Sequence, residues 1–191
     1  MTSRSQSTRT RIAAAAFELL HERGTAGMTM RQVAKHAGLS LSNVQYHFKS
    51  PEDLLVGVTE HHLAECSAAM QTALGPAETP TLRSVLRASL CDEGVRSAAP
   101  AFRELFAKAQ TEPAVRQKLN EYYQRMFETS VERLRGTLPK GRRSRKRVEE
   151  VVTVLMTSIE GAYLLEDVTP VAAKRLATVL EQVATTMLED S

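Results

Sequence analysis

The sequence predicts an all-α protein, and three observations lead to this fold class. Ala, Leu, Glu, Arg and Gln dominate the chain. Apolar residues recur at helical spacing, and β-branched residues nowhere alternate with polar ones for long, as they would in strands. Short breaks containing Gly and Pro separate segments that are long enough to be helices. We therefore predict nine helices, at residues 8–22, 29–36, 40–47, 51–74, 79–97, 100–109, 112–137, 144–165 and 170–189.

Several of these helices carry explicit start signals. Thr29 and Gln32 have the spacing of a capping box, in which each side chain accepts a hydrogen bond from the backbone N–H of the other residue. Ser50 and Pro51 combine an N-cap hydroxyl with a first-turn proline, and the acids that follow face the positive end of the helix. Thr79-Pro80 and Thr169-Pro170 repeat the same device.

Length and composition exclude several classes of protein. The chain has 191 residues, of which 42% are hydrophobic and 25% charged, with 9 Gly and 7 Pro. These values are unlike those of collagen-like or disordered chains, and this length buries enough surface to fold without metal, cofactor or disulfide. Cys66 and Cys91 are too few for a disulfide framework. The chain has no run of 18 apolar residues and begins with a polar segment, so we expect a cytoplasmic protein with no membrane partner.

The net charge of +3 conceals an asymmetry along the chain. Residues 1–50 contain seven Lys and Arg against two acids, whereas residues 51–191 contain 18 bases and 20 acids. A basic first quarter attached to a slightly acidic remainder predicts that one end of the protein contacts a polyanion. We place a domain boundary near residue 50, between a three-helix unit (1–50) and a larger helical body (51–191), with helix 51–74 connecting them.

The segment from Thr29 to Leu54, TMRQVAKHAGLSLSNVQYHFKSPEDL, carries the most information. Val33 on its first helix can face Val44 and Phe48 on its second helix, with a glycine, Gly38, in the tight turn between them. Small residues that let two short helices cross closely, with a glycine in the turn, are typical of a helix-turn-helix. An ordinary helical hairpin is the alternative.

The second helix of this pair has an uncharged polar face. If Val44 points inward, Ser42 and Tyr46 point away from the core, and Asn43 and Gln45 flank them. Amide side chains can bond an adenine edge at two points, and hydroxyls can contact base edges or phosphates. This face therefore suits the major groove of DNA. We predict that the surrounding Lys and Arg side chains contact DNA phosphates, namely Arg31, Lys35, Lys49 and an N-terminal arm of Arg4, Arg9 and Arg11.

The segments RTRIAAAAFELLHERG and TMRQVAKHAGLSLSNVQYHFKSPEDLL resemble the DNA-binding domain of the TetR/AcrR family of bacterial transcriptional regulators. The rest of the chain resembles that family only in helical architecture. The resemblance implies a nine-helix fold with an N-terminal helix-turn-helix domain, a homodimer, and a small-molecule effector pocket in the body. It implies that the operator, a double-stranded DNA site, is contacted by Arg31, Leu41, Ser42, Asn43, Gln45, Tyr46 and Lys49. From the residues themselves, we also predict phosphate contacts at the capped helix start at Thr29 and at His47.

Two positions depart from the family pattern. Many members have tyrosine where this chain has Gln45, and lysine where it has Pro51, and those residues usually contact phosphates. Tyr46 can supply the hydroxyl one place later, and the first-turn amides that follow Ser50 can hold a phosphate without a lysine.

Two apolar stripes near the C-terminus are candidates for the dimer interface, because one recognition helix reads too few base pairs to act alone. Helical periodicity leaves open whether they pack inside the chain or between chains. The resemblance implies a four-helix bundle made by the last two helices of each chain. The predicted interface residues are Val148, Val151, Val152, Leu155, Ile159, Leu176, Val179, Leu180, Val183 and Met187.

Methionine and aromatic residues concentrate between the DNA-binding unit and these stripes. Residues of this kind at helical spacing form packed cores or apolar ligand cavities, and the sequence leaves both open. Together with the resemblance, they predict an effector pocket with Glu104, Tyr122 or Glu160 as a polar anchor. The predicted pocket residues are Cys66, Met70, Phe102, Phe106, Tyr122, Met126, Phe127, Met156, Glu160 and Tyr163.

The sequence supports other functions less well than it supports a regulator. His61 and Glu65 share a helix face beside Cys66, but the chain has no HExxH, paired CxxC, GxGxxG or P-loop motif, so we predict neither an enzyme nor a metal site. The basic run 140–147 is either a solvated loop or a second contact with anions. The sequence thus predicts a homodimeric repressor released from a pseudo-palindromic operator by a small molecule. A thiol-responsive or ligand-independent regulator of the same fold is the alternative.

Overall fold

The computed structural model describes residues 3–75, 80–139, 144–166, 168 and 172–189. Over these residues the chain forms α-helices, one short 3-10 turn and no strand, so the predicted all-α class is confirmed. Nine of the helices have seven residues or more, and the tenth is a single turn. The helices are α1 (Ser3–Arg23), α2 (Met30–His36), α3 (Leu41–His47), α4 (Pro51–Leu74), α5 (Leu82–Cys91), α6 (Glu93–Arg96), α7 (Ala99–Ala109), α8 (Pro113–Thr137), α9 (Arg145–Leu165) and α10 (Ala173–Glu189).

The predicted helix 79–97 is interrupted at Asp92. The backbone of Asp92 is extended, with φ −75° and ψ 127°, and its carboxylate accepts the Val95 N–H at 3.1 Å as the N-cap of α6. Upstream, α5 is capped by Thr81, whose hydroxyl accepts the Ser84 N–H at 3.2 Å. The predicted cap at Thr79-Pro80 is therefore replaced by Thr81, and Thr79 itself lies outside the described residues, as does the predicted cap at Thr169-Pro170.

The chain divides into two compact units. The first contains Met1–Cys66 and Pro100–Glu121, and the second contains Ser67–Ala99 and Tyr122–Ser191. This division differs from the boundary predicted at residue 50, because the first half of α4 belongs to the core of the first unit. Leu54 and Val58 on that half of α4 are at most 1% exposed.

The core of the first unit anchors the end of α3. Phe48, which directly follows α3, is fully buried, as are Val33 on α2 and Val44 on α3. The Phe48 ring lies against the backbone of α4 at Gly57, where an added Cβ would stand 2.4 Å from Phe48 Cε1. Glycine at position 57 is therefore what allows the aromatic ring to reach this depth.

The core of the second unit is formed by side chains of α5, α8, α9 and α10. It contains the residues Leu86, Leu90, Val131, Val148, Val151, Val152, Leu155, Ala177, Leu180, Ala184 and Leu188. This corrects five positions of the predicted dimer interface, namely Val148, Val151, Val152, Leu155 and Leu180. They lie inside the chain because helices of the same unit cover the inner stripes of α9 and α10.

The basic run near the start of α9 is partly committed to internal contacts. Arg145 pairs with Glu128 and Glu149 at 2.6 Å and with Glu132 at 3.0 Å. Arg147 donates to the Met187 carbonyl at 2.8 Å. Residues 140–143 lie outside the described residues. The two arginines therefore connect α9 to neighbouring helices.

In the part of the chain that the structure covers, no helix is both long and apolar enough to cross a membrane.

The contact between Phe48 and Gly57 makes a testable prediction about stability. Gly57→Ala places a methyl group in space that the ring occupies, and overpacking of this kind costs about 1–3 kcal/mol of unfolding free energy. Gly136→Ala in α8 is the matched control, because nothing lies within 4 Å of a Cβ added there. That control should stabilise the protein by about 0.5–1 kcal/mol through helix propensity. Urea denaturation measures both variants, and equal effects in the two would contradict the role assigned to Gly57.

Candidate nucleic-acid interface

The two short helices of the helix-turn-helix are fixed by local caps. Thr29 and Gln32 form the predicted capping box, with the Thr29 hydroxyl accepting the Gln32 N–H at 3.3 Å and Gln32 Oε1 accepting the Thr29 N–H at 3.2 Å. Gly38 adopts φ +64° in the turn, as the sequence predicted for a glycine there. Ser40 caps α3 by accepting the Asn43 N–H at 3.2 Å. Each short helix thus has its free amides partly satisfied within the motif.

The exposed face of α3 is neutral and polar. Val44 is fully buried, Ser42, Asn43 and Gln45 are exposed, and Tyr46 is 70% exposed. The orientation predicted from helical periodicity is therefore the one observed. Leu41 and His47, at the two ends of α3, are half-buried. The four exposed side chains form a surface that offers amide and hydroxyl groups with no formal charge; we call it the α3 reading face.

Exposed cations stand around the α3 reading face. Arg31 and Lys35 are exposed on α2. The Lys49 ammonium donates to the Tyr46 carbonyl at 2.9 Å and lies 5.2 Å from the centre of the Tyr46 ring. Because an ammonium has three N–H donors, this arrangement leaves Lys49 able to bind an anion beside the end of α3.

The structure gives Arg9 a different role from the phosphate contact predicted for it. Its guanidinium lies 4.0 Å over the Phe48 ring, donates to the His47 carbonyl and pairs with Asp53 at 3.5 Å. Arg9 therefore connects α1 to the end of α3 and the start of α4. Sequence reasoning missed this because the partners lie far along the chain, beyond any local pattern.

The structure also constrains the DNA contact predicted for Thr29. The Thr29 hydroxyl donates to Gln32 Oε1 at 2.7 Å in addition to its capping contact, so its hydrogen-bonding capacity is largely used. Arg11 is exposed, whereas the side chain of Arg4 lies outside the described residues. DNA contact by the predicted residues remains a prediction.

The start of α4 carries negative charge. The Asp53 carboxylate accepts the Lys49 N–H at 2.9 Å, and the Ser50 hydroxyl accepts the Asp53 N–H at 3.1 Å. A hydrogen bond with Ser50 lowers the pKa of the exposed Glu52 carboxyl next to it. Two carboxylates at this helix start disfavour the phosphate contact that was predicted for its first-turn amides.

The predicted effector residues are distributed over both units. Cys66, Phe102 and Phe106 lie in the first unit, and Met70, Tyr122, Met126, Phe127, Met156, Glu160 and Tyr163 lie in the second.

The group in the first unit surrounds a buried histidine. His62 is 1% exposed, with its ring centre 5.0 Å from that of Phe17 and 4.5 Å from that of Phe102. Its Nε2 lies 3.6 Å from the Cys66 Sγ. Burial, and then the positive potentials of His61 and His21, lower the pKa of His62 to about 4. His62 is therefore neutral near pH 7 and packs as an aromatic side chain.

The group in the second unit includes a carboxyl group with altered ionisation. Glu160 is half-buried on α9, and burial raises the pKa of its carboxyl, while a hydrogen bond with the Tyr123 hydroxyl on α8 opposes this. Tyr163, three residues further along α9, donates from its hydroxyl to the Ser89 carbonyl. Met156, four residues before Glu160, packs against the core of the same unit.

We find no metal centre among the residues that the structure describes, since no cluster of three or more His, Cys, Asp or Glu side chains is positioned to bind an ion.

Comparison with known proteins gives consistent matches over the chain. The family model for bacterial regulatory proteins of the tetR family matches residues 12–58, and the model for the C-terminal domain of BetI-type transcriptional repressors matches residues 78–189. An uncharacterised helix-turn-helix transcriptional regulator encoded in the dhlA 5′ region of Xanthobacter autotrophicus is 34% identical over 157 residues, covering 79% of this chain and 75% of the relative.

Solved structures show the same fold. A transcriptional regulator from Rhodococcus sp. Rha1 matches with a TM-score of 0.76 at 21% identity, covering 98% of this chain and 97% of the other. The multidrug binding protein EbrR complexed with proflavin matches with a TM-score of 0.60 at 26% identity, covering 92% and 98% of the two chains.

The buried His62 predicts a pH dependence of stability. In the unfolded chain this imidazole takes up a proton as the pH falls below about 6.5, whereas in the folded chain it stays neutral down to a pKa of about 4. The unfolded state therefore binds more protons across this window, and stability falls as the pH falls through it. The linked protonation of His62 should lower the free energy of unfolding by about 2 kcal/mol at pH 5 relative to pH 7.

Urea denaturation at pH 7, 6 and 5 measures this loss. His62→Leu should remove it, so that the wild type and the variant lose different amounts of unfolding free energy on acidification. Leu63→Ala is the control, because it damages the same helix without removing a titratable group and should keep the wild-type pH dependence. A His62→Leu variant with an unchanged pH dependence would show that the imidazole does not control it.

Proposed function

Because the chain belongs to the TetR family of bacterial regulatory proteins, with a BetI-type repressor domain as its body, we propose that it is a homodimeric repressor released from a pseudo-palindromic operator by an organic cation. The family assignment makes the protein a DNA-binding transcriptional regulator and not an enzyme. The dimer, the operator contacts and the effector are the parts that we propose.

The α3 reading face carries the proposal for DNA recognition. An exposed helix that served only for solubility would usually display Glu and Lys, whereas Ser42, Asn43, Gln45 and Tyr46 are neutral and exposed. The Asn43 amide is free to bond an adenine edge at two points, because only its backbone N–H takes part in the cap. We therefore place α3 in the major groove, with these side chains against the base edges.

Phosphate binding is assigned to Arg31, Lys35 and Lys49. Lys49 is held by the Tyr46 carbonyl at the end of α3, so its position follows that of the α3 reading face. The carboxylates of Glu52 and Asp53 discourage a phosphate at the start of α4. Lys49 thus places a positive charge beside the end of α3 that can contact a phosphate.

The dimer is proposed to form through the outer faces of α9 and α10. Val179 is 43% exposed and Val183 is 37% exposed, and both lie on α10 away from its buried stripe. Leu164 and Leu165, at the end of α9, are 63% and 46% exposed. Apolar side chains left in water along two helices suit a self-complementary interface around a two-fold axis. Ile159, Leu176 and Met187 are half-buried beside these faces and belong to the same proposal.

The effector is proposed to be an organic cation bound near Glu160. This carboxylate stands in an apolar setting that raises its pKa, and a cation beside it would restore the charged form. Tyr163 and Met156 share its face of α9, and aromatic rings attract organic cations through their negative faces. The solved relative EbrR was crystallised with proflavin, a flat aromatic cation.

Helix α4 is the proposed route from effector to operator. It begins at Pro51, separated by three residues from the end of α3 at His47, and continues to Leu74 in the second unit. An effector that prefers a shifted position of α4 would move Phe48 and α3 with it, because Phe48 rests on Gly57. Such a ligand changes the population of conformations that fit two successive major grooves.

The DNA-binding proposal predicts different effects for two substitutions. Asn43→Ala removes a base contact, so it should weaken operator binding by about 1–3 kcal/mol and relax specificity at one base pair. Lys49→Ala removes a phosphate contact, so it should weaken binding to all sequences alike and reduce the slope of affinity against salt by about one unit. Fluorescence anisotropy with an operator selected from genomic fragments measures both, with a stoichiometry of two chains per operator expected.

Arg133→Ala on the exposed side of α8 is the control, because it removes a positive charge far along the chain from α3. It should leave operator affinity and salt dependence unchanged. If Asn43→Ala and Lys49→Ala cause equal losses on operator and on random DNA, the assignment of the α3 reading face is incorrect.

The effector proposal is tested with proflavin, whose fluorescence reports binding directly. Glu160→Gln keeps the shape of the side chain but removes its charge, so it should weaken proflavin binding about tenfold or more, as expected for the loss of a charge-assisted contact in an apolar site. Proflavin should release the wild-type protein from its operator at concentrations that leave the variant bound.

Glu150→Gln is the matched control, since Glu150 is exposed on the same helix. It should bind proflavin like the wild type. Equal proflavin affinity in Glu160→Gln and wild type would exclude Glu160 as the anchor, and release of the operator by mild peroxide alone would favour the thiol-responsive alternative.

A further inference from the structure

A second candidate site lies in the second unit, between α5 and α10. A cavity of about 210 Å³ opens between these helices. None of the predicted effector residues lines it. Its walls are formed by Arg83, Arg87, Cys91, Lys174, Ala177, Thr178 and Glu181.

The spacing of the lining residues brings positive charge together. Arg83, Arg87 and Cys91 follow one another at intervals of four on α5, so they form one face of that helix. Lys174 and Thr178 have the same spacing on α10 and lie opposite this face. Three bases and one acid line the cavity, which leaves two positive charges uncompensated within its walls.

The single acid of the cavity engages only part of one arginine. Arg83 Nε donates to both oxygens of the Glu181 carboxylate, at 3.0 and 2.9 Å. The two terminal nitrogens of the Arg83 guanidinium carry four further N–H donors. Neither Arg87 nor Lys174 has an ion-pair partner among the residues that the structure describes.

We propose that this cavity binds a small oxygen-bearing dianion, of the chemistry shared by inorganic phosphate and short dicarboxylates. Two negative charges match the two uncompensated cations. The guanidinium of Arg87 presents a planar fork of donors that fits the oxygens of such an anion, and Lys174 adds a point charge from the opposite helix. The Thr178 hydroxyl donates its one proton to the Lys174 carbonyl at 3.0 Å, so the cations alone would hold the anion.

The volume of the cavity fits this class of ligand. At about 210 Å³ the cavity is smaller than the pockets of about 300–1,000 Å³ that bind drug-sized ligands, which suits an ion of this size. The anion would cross-link α5 and α10, which already pack together in the core through Leu86 and Leu180. This site is separate from the proposed effector group at Glu160 and does not depend on it.

Cys91 provides a direct probe of occupancy. Its half-buried thiol lies in the wall of the cavity, whereas Cys66 is buried in the first unit and serves as an internal reference. Alkylation of Cys91 by neutral iodoacetamide, followed residue by residue by mass spectrometry, should slow about fivefold or more in saturating phosphate. The comparison uses sodium chloride at the same pH and ionic strength, because occupancy and not general screening must cause the protection.

Variants identify the residues responsible. The double variant Arg87→Gln, Lys174→Gln should lose the phosphate protection of Cys91, and Arg87→Gln alone should lose part of it, while Arg133→Gln on α8 should keep all of it. Both cavity positions are exposed, so the fold should survive, which circular dichroism checks. The proposal is overturned if neither phosphate nor succinate slows alkylation relative to chloride, or if the double variant is protected like the wild type.

A second arm replaces phosphate by succinate. Protection by phosphate alone identifies a compact oxyanion as the ligand, and protection by succinate alone identifies an extended dicarboxylate. Either result supports the site. If neither phosphate nor succinate protects Cys91, the site is contradicted. No DNA or organic cation enters this experiment, so its outcome is independent of the function proposed above.

Discussion

The position of the recognition helix depends on the contact between one aromatic ring and one glycine. A seven-residue helix such as α3 is too short to be stable by itself, so tertiary packing must hold it. Phe48 supplies that packing, because its buried ring reaches the backbone of α4 where Gly57 has no side chain. Arg9 covers the same ring from α1 and also binds the backbone of His47. Three helices therefore meet at Phe48.

Features governed by neighbours along the chain were predictable from the sequence. The capping box at Thr29, the positive φ of Gly38 and the inward direction of Val44 depend on residues at most four positions away, and the structure shows all three. The break at Asp92 was missed, although Asp is a good N-cap, because apolar periodicity continues on both sides of it. Contacts between distant segments were not predictable in this way.

Arg9 and the inner stripe of α9 show the limit in physical terms. An exposed phosphate-binding arginine and an arginine that pairs with Asp53 look the same in sequence, and only the packing of α1 against α4 distinguishes them. Likewise, the apolar stripe of a helix must pack against other residues, but periodicity does not say whether those residues belong to the same chain or to a partner. Here α5, α8 and α10 supply it for Val148, Val151 and Val152.

In α3, the residues that hold the helix in place differ from those that face the solvent, and this separation has an evolutionary consequence. Its inward residue and the aromatic ring after it hold the helix in place, whereas the side chains of Asn43 and Gln45 are exposed and leave the interior untouched. Exchanging these two side chains therefore costs the protein little thermodynamic stability. Duplicated copies of such a gene can acquire new target sequences by a few substitutions on this surface, while selection for a stable scaffold acts on other residues.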